Sequence, residues 1–225
     1  MEFYDVSLKQ NFLLLSDGTK KAASPKETEF FKLRPKLKAV KNKDGTIKII
    51  RWADLHRHSG YSLLDGAISI DNMVKHTEYA GAITDHGNMR GTLEYFKAME
   101  KAKKFPIIGE EFYVENMDGK LANNHLILLA KTYKGYKNLC KLSKGGYEHM
   151  YRKHPHITRE LIKEYHEDVI CLSACISGEV PQLLGKDYDQ KALEAAQWYQ
   201  SVFGKDYYIE IQHHNIPIEK VINPK

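Results

Sequence analysis

Two short apolar runs in this sequence each end in histidine, and this pattern constrains the fold more than any other feature. The first run ends in Asp54-Leu55-His56-Arg57-His58 and the second in Ile83-Thr84-Asp85-His86-Gly87. Side chains two residues apart on a strand point to the same side of a sheet, so His56 and His58 can reach one point in space. If the second strand lies beside the first, His86 joins them. The pattern predicts a metal site with imidazole and carboxylate ligands at one edge of a sheet.

The composition is that of an ordinary globular domain, with 225 residues of which 42% are hydrophobic and 28% charged. The net charge of +5 leans toward an anionic partner. The cysteines, Cys140, Cys171 and Cys175, are few and odd in number, which excludes a disulfide framework and favours a reducing compartment. No apolar run approaches the length of a membrane span. We therefore expect a cytoplasmic protein with no membrane partner.

The first part of the chain differs from the rest, and we predict a basic N-terminal extension over residues 1–51. Residues 19–48 are rich in Lys, Glu, Ser and Thr, which favours a solvated or partly disordered arm. Contact with nucleic acid is the alternative, because lysines are concentrated before the first histidine run. Asp44-Gly45 predicts a hairpin turn, so part of the extension is expected to form a small β-ribbon. The lysines are Lys36, Lys38, Lys41, Lys43 and Lys48.

From residue 52 onward, short apolar strands alternate with amphipathic helices. This order predicts an α/β domain over residues 52–225, with a mostly parallel sheet and a site at the carboxyl ends of its strands. The predicted strands are 52–55, 82–84, 106–114, 125–130, 169–173 and 207–212, and the predicted helices are 69–79, 91–103, 134–144, 156–165 and 191–203.

Residues that bind metals follow most of these strands. Asp65 lies in the loop after His58, Glu110-Glu111 lies in the third strand, and Cys175 follows the fifth. His125 opens its strand and is the exception. Imidazole, carboxylate and thiolate ligands together suit Zn, Mn or Fe, and such centres hydrolyse phosphoester bonds. No glycine-rich phosphate loop offers an equally complete alternative, and a nucleophilic role for Cys175 lacks a dedicated base.

Five ordered segments resemble the motifs of the polymerase and histidinol phosphatase (PHP) domain, in the version found at the N-terminus of bacterial DNA polymerase III alpha subunits. The first segment is Leu-His-Arg-His-Ser-Gly-Tyr-Ser-Leu-Leu-Asp-Gly at 55–66, and the second is Ile-Thr-Asp-His-Gly-Asn at 83–88. The others are Ile-Ile-Gly-Glu-Glu-Phe-Tyr-Val at 107–114, His-Leu-Ile-Leu-Leu-Ala at 125–130 with Tyr-Lys-Asn-Leu at 136–139, and Leu-Ser-Ala-Cys-Ile-Ser-Gly-Glu-Val at 172–180.

The resemblance implies a distorted seven-stranded (βα) barrel with a centre of up to three divalent ions, Zn, Mn or Fe. It also implies that His56, His58, His86 and Glu111 serve catalysis. Asp85 is expected to orient a ligand without binding metal, and Glu110 to point away from the site. The implied metal ligands are His56, His58, Asp65, His86, Glu111, His125 and Cys175.

The sequence departs from the PHP pattern near its end, because no Asp-x-His follows Cys175. We interpret His213-His214-Asn215 as peripheral, with an approach of His214 to the site as the alternative. The domain is therefore expected to lack the last strands of the barrel. The remainder of a polymerase III alpha chain or a complementing polypeptide would complete it.

The resemblance leads to two hypotheses about function. The first is metal-dependent phosphoester hydrolysis of the 3′–5′ exonuclease kind, or its vestige, within a replicative DNA polymerase that acts on DNA. The second is a non-catalytic, metal-stabilised scaffold that docks the polymerase body or a proofreading subunit. A free-standing small-molecule phosphatase is disfavoured by the polymerase-like segments at 61–66 and 109–114.

A basic and aromatic patch lies outside these motifs. It consists of Tyr147, Tyr151, Arg152 and Lys153. Such a patch can bind single-stranded nucleic acid, and a plain solvated loop is the alternative.

Overall fold

The computed structural model describes residues 53–224 and, in the N-terminal extension, the backbone of five strands. Three of these, β1, β2 and β3, form an antiparallel sheet, and β4 pairs with β5 in an antiparallel ribbon. The predicted turn at Asp44-Gly45 lies outside the described residues, as does Trp52. The five strands are β1 (Glu2–Asp5), β2 (Gln10–Leu14), β3 (Lys20–Ala22), β4 (Ala39–Lys41) and β5 (Ile47–Ile49).

A seven-stranded sheet forms the centre of the domain. Its order is β12-β11-β8-β7-β10-β9, and β6 also pairs with β7. β7 is long enough for β6 to pair with its first half and β10 with its last two residues. The strands are β6 (Ala80–Ile83), β7 (Phe105–Val114), β8 (Asn124–Ala130), β9 (Met150–Tyr151), β10 (His154–Ile157), β11 (Val169–Leu172) and β12 (Tyr207–Tyr208).

The sheet is mixed, so the expectation of a mostly parallel sheet is wrong. β6 and β10 run parallel to β7, and β12 runs parallel to β11, but β8 is antiparallel to both β7 and β11. The reason is the connection at residues 115–123, which contains no helix. Parallel neighbours need a crossover of a dozen or more residues, whereas a shorter loop returns the chain as a hairpin.

Seven helices are described between residues 53 and 224, and threonine or serine caps several of them. Ser69, Thr132 and Thr158 each accept a hydrogen bond from a backbone N–H of the following first turn. The helices are α1 (Ile70–His76), α2 (Thr92–Lys101), α3 (Tyr133–Glu148), α4 (Arg159–Tyr165), α5 (Glu179–Leu184), α6 (Asp189–Phe203) and α7 (Pro217–Ile222).

Three predicted elements differ from the structure at their ends. The cap at Thr158 agrees with the prediction, but His156 and Ile157 belong to β10, because the cap residue has extended backbone and a helix cannot continue through it. The strand predicted at 207–212 is paired only at Tyr207–Tyr208. The strand predicted at 52–55 is reduced to a single bridge between Asp54 and Gly81.

The core is divided by the sheet, and β8 is buried on both faces. Leu126 and Leu128 pack with Leu139 and Leu142 of α3. Ile127 and Leu129 face the other way and pack with a smaller cluster that includes Leu172. A strand buried on both sides reads as a continuous apolar run, as residues 126–129 do. This burial fixes β8 in the middle of the sheet and with it the position of His125 at one edge.

No helix among the described residues is long and apolar enough to cross a membrane.

Candidate metal centre

The seven side chains selected from the sequence meet at one edge of the sheet. We call this group the histidine cluster. Three sets of three ligand atoms in it lie within 4.8 Å of one another: His56 with His58 and Glu111, His58 with Asp65 and His86, and His86 with Glu111 and His125. The histidine cluster comprises His56, His58, Asp65, His86, Glu111, His125 and Cys175.

Glu111 lies at the centre of the histidine cluster and is 1% exposed. Its Oε1 is 3.3 Å from His56 Nε2 and 2.9 Å from His125 Nδ1. Its Oε2 is 3.2 Å from His58 Nε2 and 2.7 Å from His86 Nδ1. Four imidazoles therefore surround one buried carboxylate.

The backbone explains how the first three histidines converge. Residues 54–57 lie beside β6, with the Ala82 N–H donating to the Asp54 carbonyl. His56 and His58 share a face of this segment, and their Nε2 atoms are 3.2 Å apart. His86 follows β6 and bridges to Glu111 on the neighbouring strand.

His125 is at the start of its strand but at the same edge of the sheet as the other ligands. Because β8 runs antiparallel to β7, the first residues of β8 lie beside the last residues of β7, and His125 pairs with Tyr113. The apparent exception in the sequence is thus a consequence of strand direction.

Asp65 and Cys175 lie at the margin of the histidine cluster. Asp65 Oδ2 is 2.9 Å from His86 Nε2, and the side chain is 56% exposed. Cys175 Sγ is 3.6 Å from His125 Nδ1 and 4.0 Å from Glu111 Oε1. The loop can place Asp65 here because a Cβ on Gly66 would lie 1.9 Å from the Ser59 carbonyl oxygen, so only glycine fits.

Asp85 is buried next to His86 but its carboxylate faces a serine-rich loop. It accepts hydrogen bonds from the Ser59 N–H at 2.7 Å, the Ser59 hydroxyl at 2.8 Å and the Ser62 hydroxyl at 2.7 Å. Ser62 Oγ in turn accepts the His86 N–H at 3.0 Å. Asp85 therefore holds the backbone that carries His86 and does not face the imidazoles.

Glu110, the neighbour of Glu111, points to the opposite side of β7. Its Oε1 accepts a hydrogen bond of 3.3 Å from Ser143 of α3. Burial raises the pKa of the Glu110 carboxyl well above its usual range. Because side chains alternate between the two faces of β7, the carboxyl of Glu110, which favours its neutral form, is separated from that of Glu111, which the imidazoles surround.

The charges of the histidine cluster are strongly coupled. Burial opposes the ionised form of Glu111, but the four imidazoles around it hold its pKa well below the usual range. Burial also opposes charge on His56 and His125, yet Glu111 and Glu210 raise the pKa of His56 to about 10, and Cys175 and Glu111 raise that of His125 to about 9. A bound cation would displace protons from these groups.

The donor set fits divalent metal ions. Glu210 Oε2 is buried with no hydrogen-bond partner, and His86 Nδ1 and Glu111 Oε2, although 2.7 Å apart, form no hydrogen bond. Buried polar atoms are rarely left in that state, and the exceptions mark missing ligands or functional sites. Imidazole nitrogens with carboxylate oxygens suit Zn, Mn or Fe, and Cys175 adds a thiol whose pKa burial would raise but His125 and the Ser177 N–H lower.

Sequence reasoning missed two side chains at this site, Glu210 and Gln212. Glu210 Oε1 is 2.8 Å from His56 Nδ1, and Gln212 Nε2 is 2.6 Å from the same oxygen and 3.3 Å from His56 Nδ1. The signal was present, because Glu210 and Gln212 are two residues apart on the strand predicted at 207–212, with the same spacing as His56 and His58. His214 lies apart from the histidine cluster, with its Nδ1 2.8 Å from Glu219 Oε1.

The domain is α/β with a mixed sheet, and four imidazoles surround one carboxylate at an edge of that sheet. Together these features define a metal-binding domain of the PHP class. The family model described as "PHP domain" matches residues 54–214. The chain belongs to the PHP domain family.

The curated relatives of this chain include DNA polymerase III alpha subunits from several bacteria. Those of Deinococcus radiodurans and Borreliella burgdorferi are each 38% identical, over 77% and 78% of this chain. That of Treponema pallidum is 42% identical over 77% of this chain. The chain spans 14%, 16% and 16% of the length of these three relatives.

A solved structure from Bifidobacterium adolescentis, provisionally assigned as a metal-dependent phosphoesterase, is 19% identical to this chain. The match covers 43% of this chain and 33% of the other, with a TM-score of 0.33. At that TM-score, the match supports no conclusion about function.

Proposed function

We propose that this chain is the PHP region of a replicative DNA polymerase of the polymerase III alpha type, and that its histidine cluster hydrolyses phosphoester bonds in DNA. The observation that carries the proposal is the convergence of four imidazoles on Glu111, beside a buried Glu210 oxygen that has no hydrogen-bond partner. Hydrolysis from a 3′ end, as by a 3′–5′ exonuclease, is the polarity we propose. Relatives that are bacterial polymerase subunits support a cytoplasmic location.

The three ligand sets name the residues that would hold up to three ions of Zn, Mn or Fe. Such ions supply charge stabilisation to a phosphoryl oxygen and activate water. Apart from this chemistry, residues of the chain position the ligands. Glu111 fixes four imidazoles in one orientation, and Asp85 holds the loop and backbone around His86 through Ser59 and Ser62. Glu210 fixes the ring of His56 from the other side.

The partners we propose follow from the relatives. Since the chain spans about one seventh of the Deinococcus radiodurans relative, the remainder of an alpha chain, or a complementing polypeptide, is the first proposed partner. DNA and a proofreading subunit are the others. Nucleotidyl transfer by the whole polymerase would be carried by that remainder.

One observation favours a second candidate function, a metal-stabilised scaffold. The histidine cluster joins four separate parts of the chain: the segment before β6, the loop after β6, the β7–β8 pair and the loop after β11. A metal held there would cross-link them and stabilise the fold without any turnover.

Incubation of the purified chain with Mn²⁺ or Zn²⁺ and a 3′-labelled single-stranded oligonucleotide separates the two functions. We expect release of labelled nucleotide, loss of release in His58→Ala, and unchanged release in His76→Ala, since His76 is an exposed residue of α1 outside the histidine cluster. Metal binding by the wild-type chain with no release of nucleotide would contradict hydrolysis and favour the scaffold.

A further inference from the structure

The hairpin formed by β9 and β10 presents two basic residues at its turn, beside the histidine cluster. We propose that Arg152 and Lys153 bind the phosphate backbone of a single-stranded nucleic acid whose end enters the histidine cluster. This inference rests on the proposed function, because it names the substrate class of the same site and the surface that binds it.

The position of the hairpin is the first observation. Tyr113 of β7 is paired with His156 of β10, and its ring centroid is 5.2 Å from that of His125 and 4.4 Å from that of His154. The ring of His156 is 5.5 Å from that of Tyr151, the residue before the turn. A row of rings therefore extends from the histidine cluster to the base of the basic turn.

The backbone of the turn is the second observation. Tyr151 pairs with His154, so Arg152 and Lys153 alone form the turn, with φ of 48° and 68°. Two-residue hairpin turns with positive φ at both positions strongly prefer Asn-Gly or Asp-Gly, because a Cβ is crowded in this region. Strained positions that keep unsuitable residues cluster at functional sites. An arginine and a lysine occupy both positions here, so the turn carries two positive charges where its backbone favours other residues.

The surroundings of the two cations are the third observation. Both side chains are exposed, and among the described residues neither forms an ion pair with a carboxylate. Glu148, at the end of the preceding helix, is 3.8 Å from Lys144. The Arg152 guanidinium lies 5.1 Å from the centroid of the Tyr151 ring. The turn thus presents two positive charges that the described part of the chain does not neutralise.

The chemistry of this surface selects a single strand. Lysine and arginine bind phosphates without regard to sequence, and exposed rings stack on unpaired bases. Tyr147, which is 46% exposed in the last turn of α3, supplies such a ring next to the hairpin. Bases in a duplex are already stacked and do not offer their faces, so a duplex could use only the charges.

The test uses the double variant Arg152→Asn/Lys153→Gly. It removes both charges and places at the turn the Asn-Gly pair that its backbone prefers. Binding of a fluorescent single-stranded oligonucleotide to the purified chain is measured by anisotropy across salt concentrations, with Ca²⁺ to prevent turnover. We expect affinity to fall about tenfold, and the slope of log K against log salt to decrease by about 1.4, the value for two phosphate contacts. We also expect the melting temperature to be equal to or above that of the wild-type chain, so that loss of folding cannot explain weaker binding.

The matched control is Lys101→Asn/Lys103→Gly at the opposite end of β7. Both lysines are exposed, so this variant also removes two surface charges. Lys103 has a φ of 58°, so its replacement by glycine also removes backbone strain in the left-handed region. We expect its oligonucleotide affinity to stay near that of the wild-type chain. Equal weakening in the two double variants would overturn the proposal, because net charge would then account for binding. Unchanged affinity in the Arg152→Asn/Lys153→Gly variant would overturn it as well.

Hydrolysis of bis(p-nitrophenyl) phosphate with Mn²⁺ separates failure of this inference from failure of the proposed function. This small diester has no strand that could lie along the hairpin, so its hydrolysis tests the histidine cluster: we expect turnover by the wild-type chain and none by His58→Ala. No hydrolysis by the wild-type chain would count against the proposed function, whereas the anisotropy measurement would still decide whether the hairpin binds a single strand.

Discussion

Two buried clusters of charged residues in this domain are built in opposite ways. The first is the histidine cluster, and the second, which we call the arginine cluster, joins α4 to α5 and α6. The arginine cluster comprises Arg159, Glu179, Glu115, Trp198 and Tyr199.

In the arginine cluster, each charge meets its partners within the protein. The Arg159 guanidinium pairs with Glu179 and lies 4.2 Å from the centroid of the Trp198 ring. Glu179 also accepts from the Met117 N–H at 2.9 Å and from the Tyr199 hydroxyl at 3.2 Å. One atom, Arg159 Nη1, lacks a hydrogen-bond partner. A buried pair with this many contacts fixes how three helices meet.

In the histidine cluster, acceptors and weak bases are crowded together with no permanent cation among them. Arginine stays charged at any ordinary pH and has no free nitrogen for a metal, whereas an imidazole can give up its proton and bind a metal through the freed nitrogen. A group of imidazoles around a carboxylate can therefore exchange protons for a metal ion. The difference shows that burial alone does not distinguish a structural ion pair from a metal site. The type of basic residue, arginine in one cluster and histidine in the other, does distinguish them.

The largest effect on stability is expected from Arg159→Met. This change leaves Glu179 buried without its cation, so the free energy of unfolding should fall by about 3 to 5 kcal/mol. Urea denaturation of the metal-free chain measures the loss. The double variant Arg159→Met/Glu179→Gln should recover most of it, because it removes both charges. A loss below about 1 kcal/mol in the single variant would show that the pair behaves like a surface salt bridge.

The largest effect on metal binding is expected from Glu111→Gln. The variant removes the one carboxylate that contacts four imidazoles, and we expect the affinity for Zn²⁺ to fall by more than about a hundredfold in titration calorimetry. Glu110→Gln is the matched control on the next residue, and its Zn²⁺ affinity should equal that of the wild-type chain. Similar affinities in the two variants would remove Glu111 from the centre of the site.

Chelation should affect only one of the two clusters. With Zn²⁺ at about a hundred times its dissociation constant, bound metal should add about 3 kcal/mol to stability, and EDTA should remove this gain. The melting temperature of Arg159→Met should fall on chelation as that of the wild-type chain does, while that of Glu111→Gln should not respond. A response in Glu111→Gln would indicate that metal stabilises the fold elsewhere.

The smallest effect is expected from Glu110, a buried carboxyl that belongs to neither cluster. Burial raises its pKa in the folded state above the ordinary value of 4.5. Its contribution to stability is therefore complete at pH below 4.5 and declines as the pH rises toward the folded-state pKa. Glu110→Gln does not titrate, so its stability relative to the wild-type chain should increase between pH 4 and pH 7. Parallel stability curves for the two proteins would contradict a raised pKa.

Much of the site could be predicted from the sequence because strand geometry is local. The period of two places His56 and His58 on one face and puts Glu110 and Glu111 on opposite faces of β7. The contacts of Glu110 with Ser143 and of Glu111 with the imidazoles agree with this alternation. The alternation of strands and helices likewise predicted an α/β domain.

Strand direction was predicted wrongly, although the connection at residues 115–123 is too short for a helical crossover and indicates a hairpin. In a mostly parallel sheet, His125 at the start of its strand would lie at the opposite edge from the other ligands. It lies at the same edge because β8 runs antiparallel to β7. Glu210 and Gln212 approach His56 across more than 150 residues of sequence, and their proximity depends on β12 pairing with β11. The second half of β10 falls within the helix predicted at 156–165, because its two buried residues suit either element.

By itself, the sequence determined which residue types could bind metal and which face of each strand they occupy, because both depend on neighbours along the chain. Only the tertiary structure decided that these faces meet around Glu111, and that the turn at Arg152 and Lys153 lies beside them. The physical reason is that sheet order is set by the burial of apolar residues from distant parts of the chain, such as those of β8, and no local pattern encodes it. The family motifs named the ligands, while the packed sheet placed their donor atoms within a few ångströms of one another.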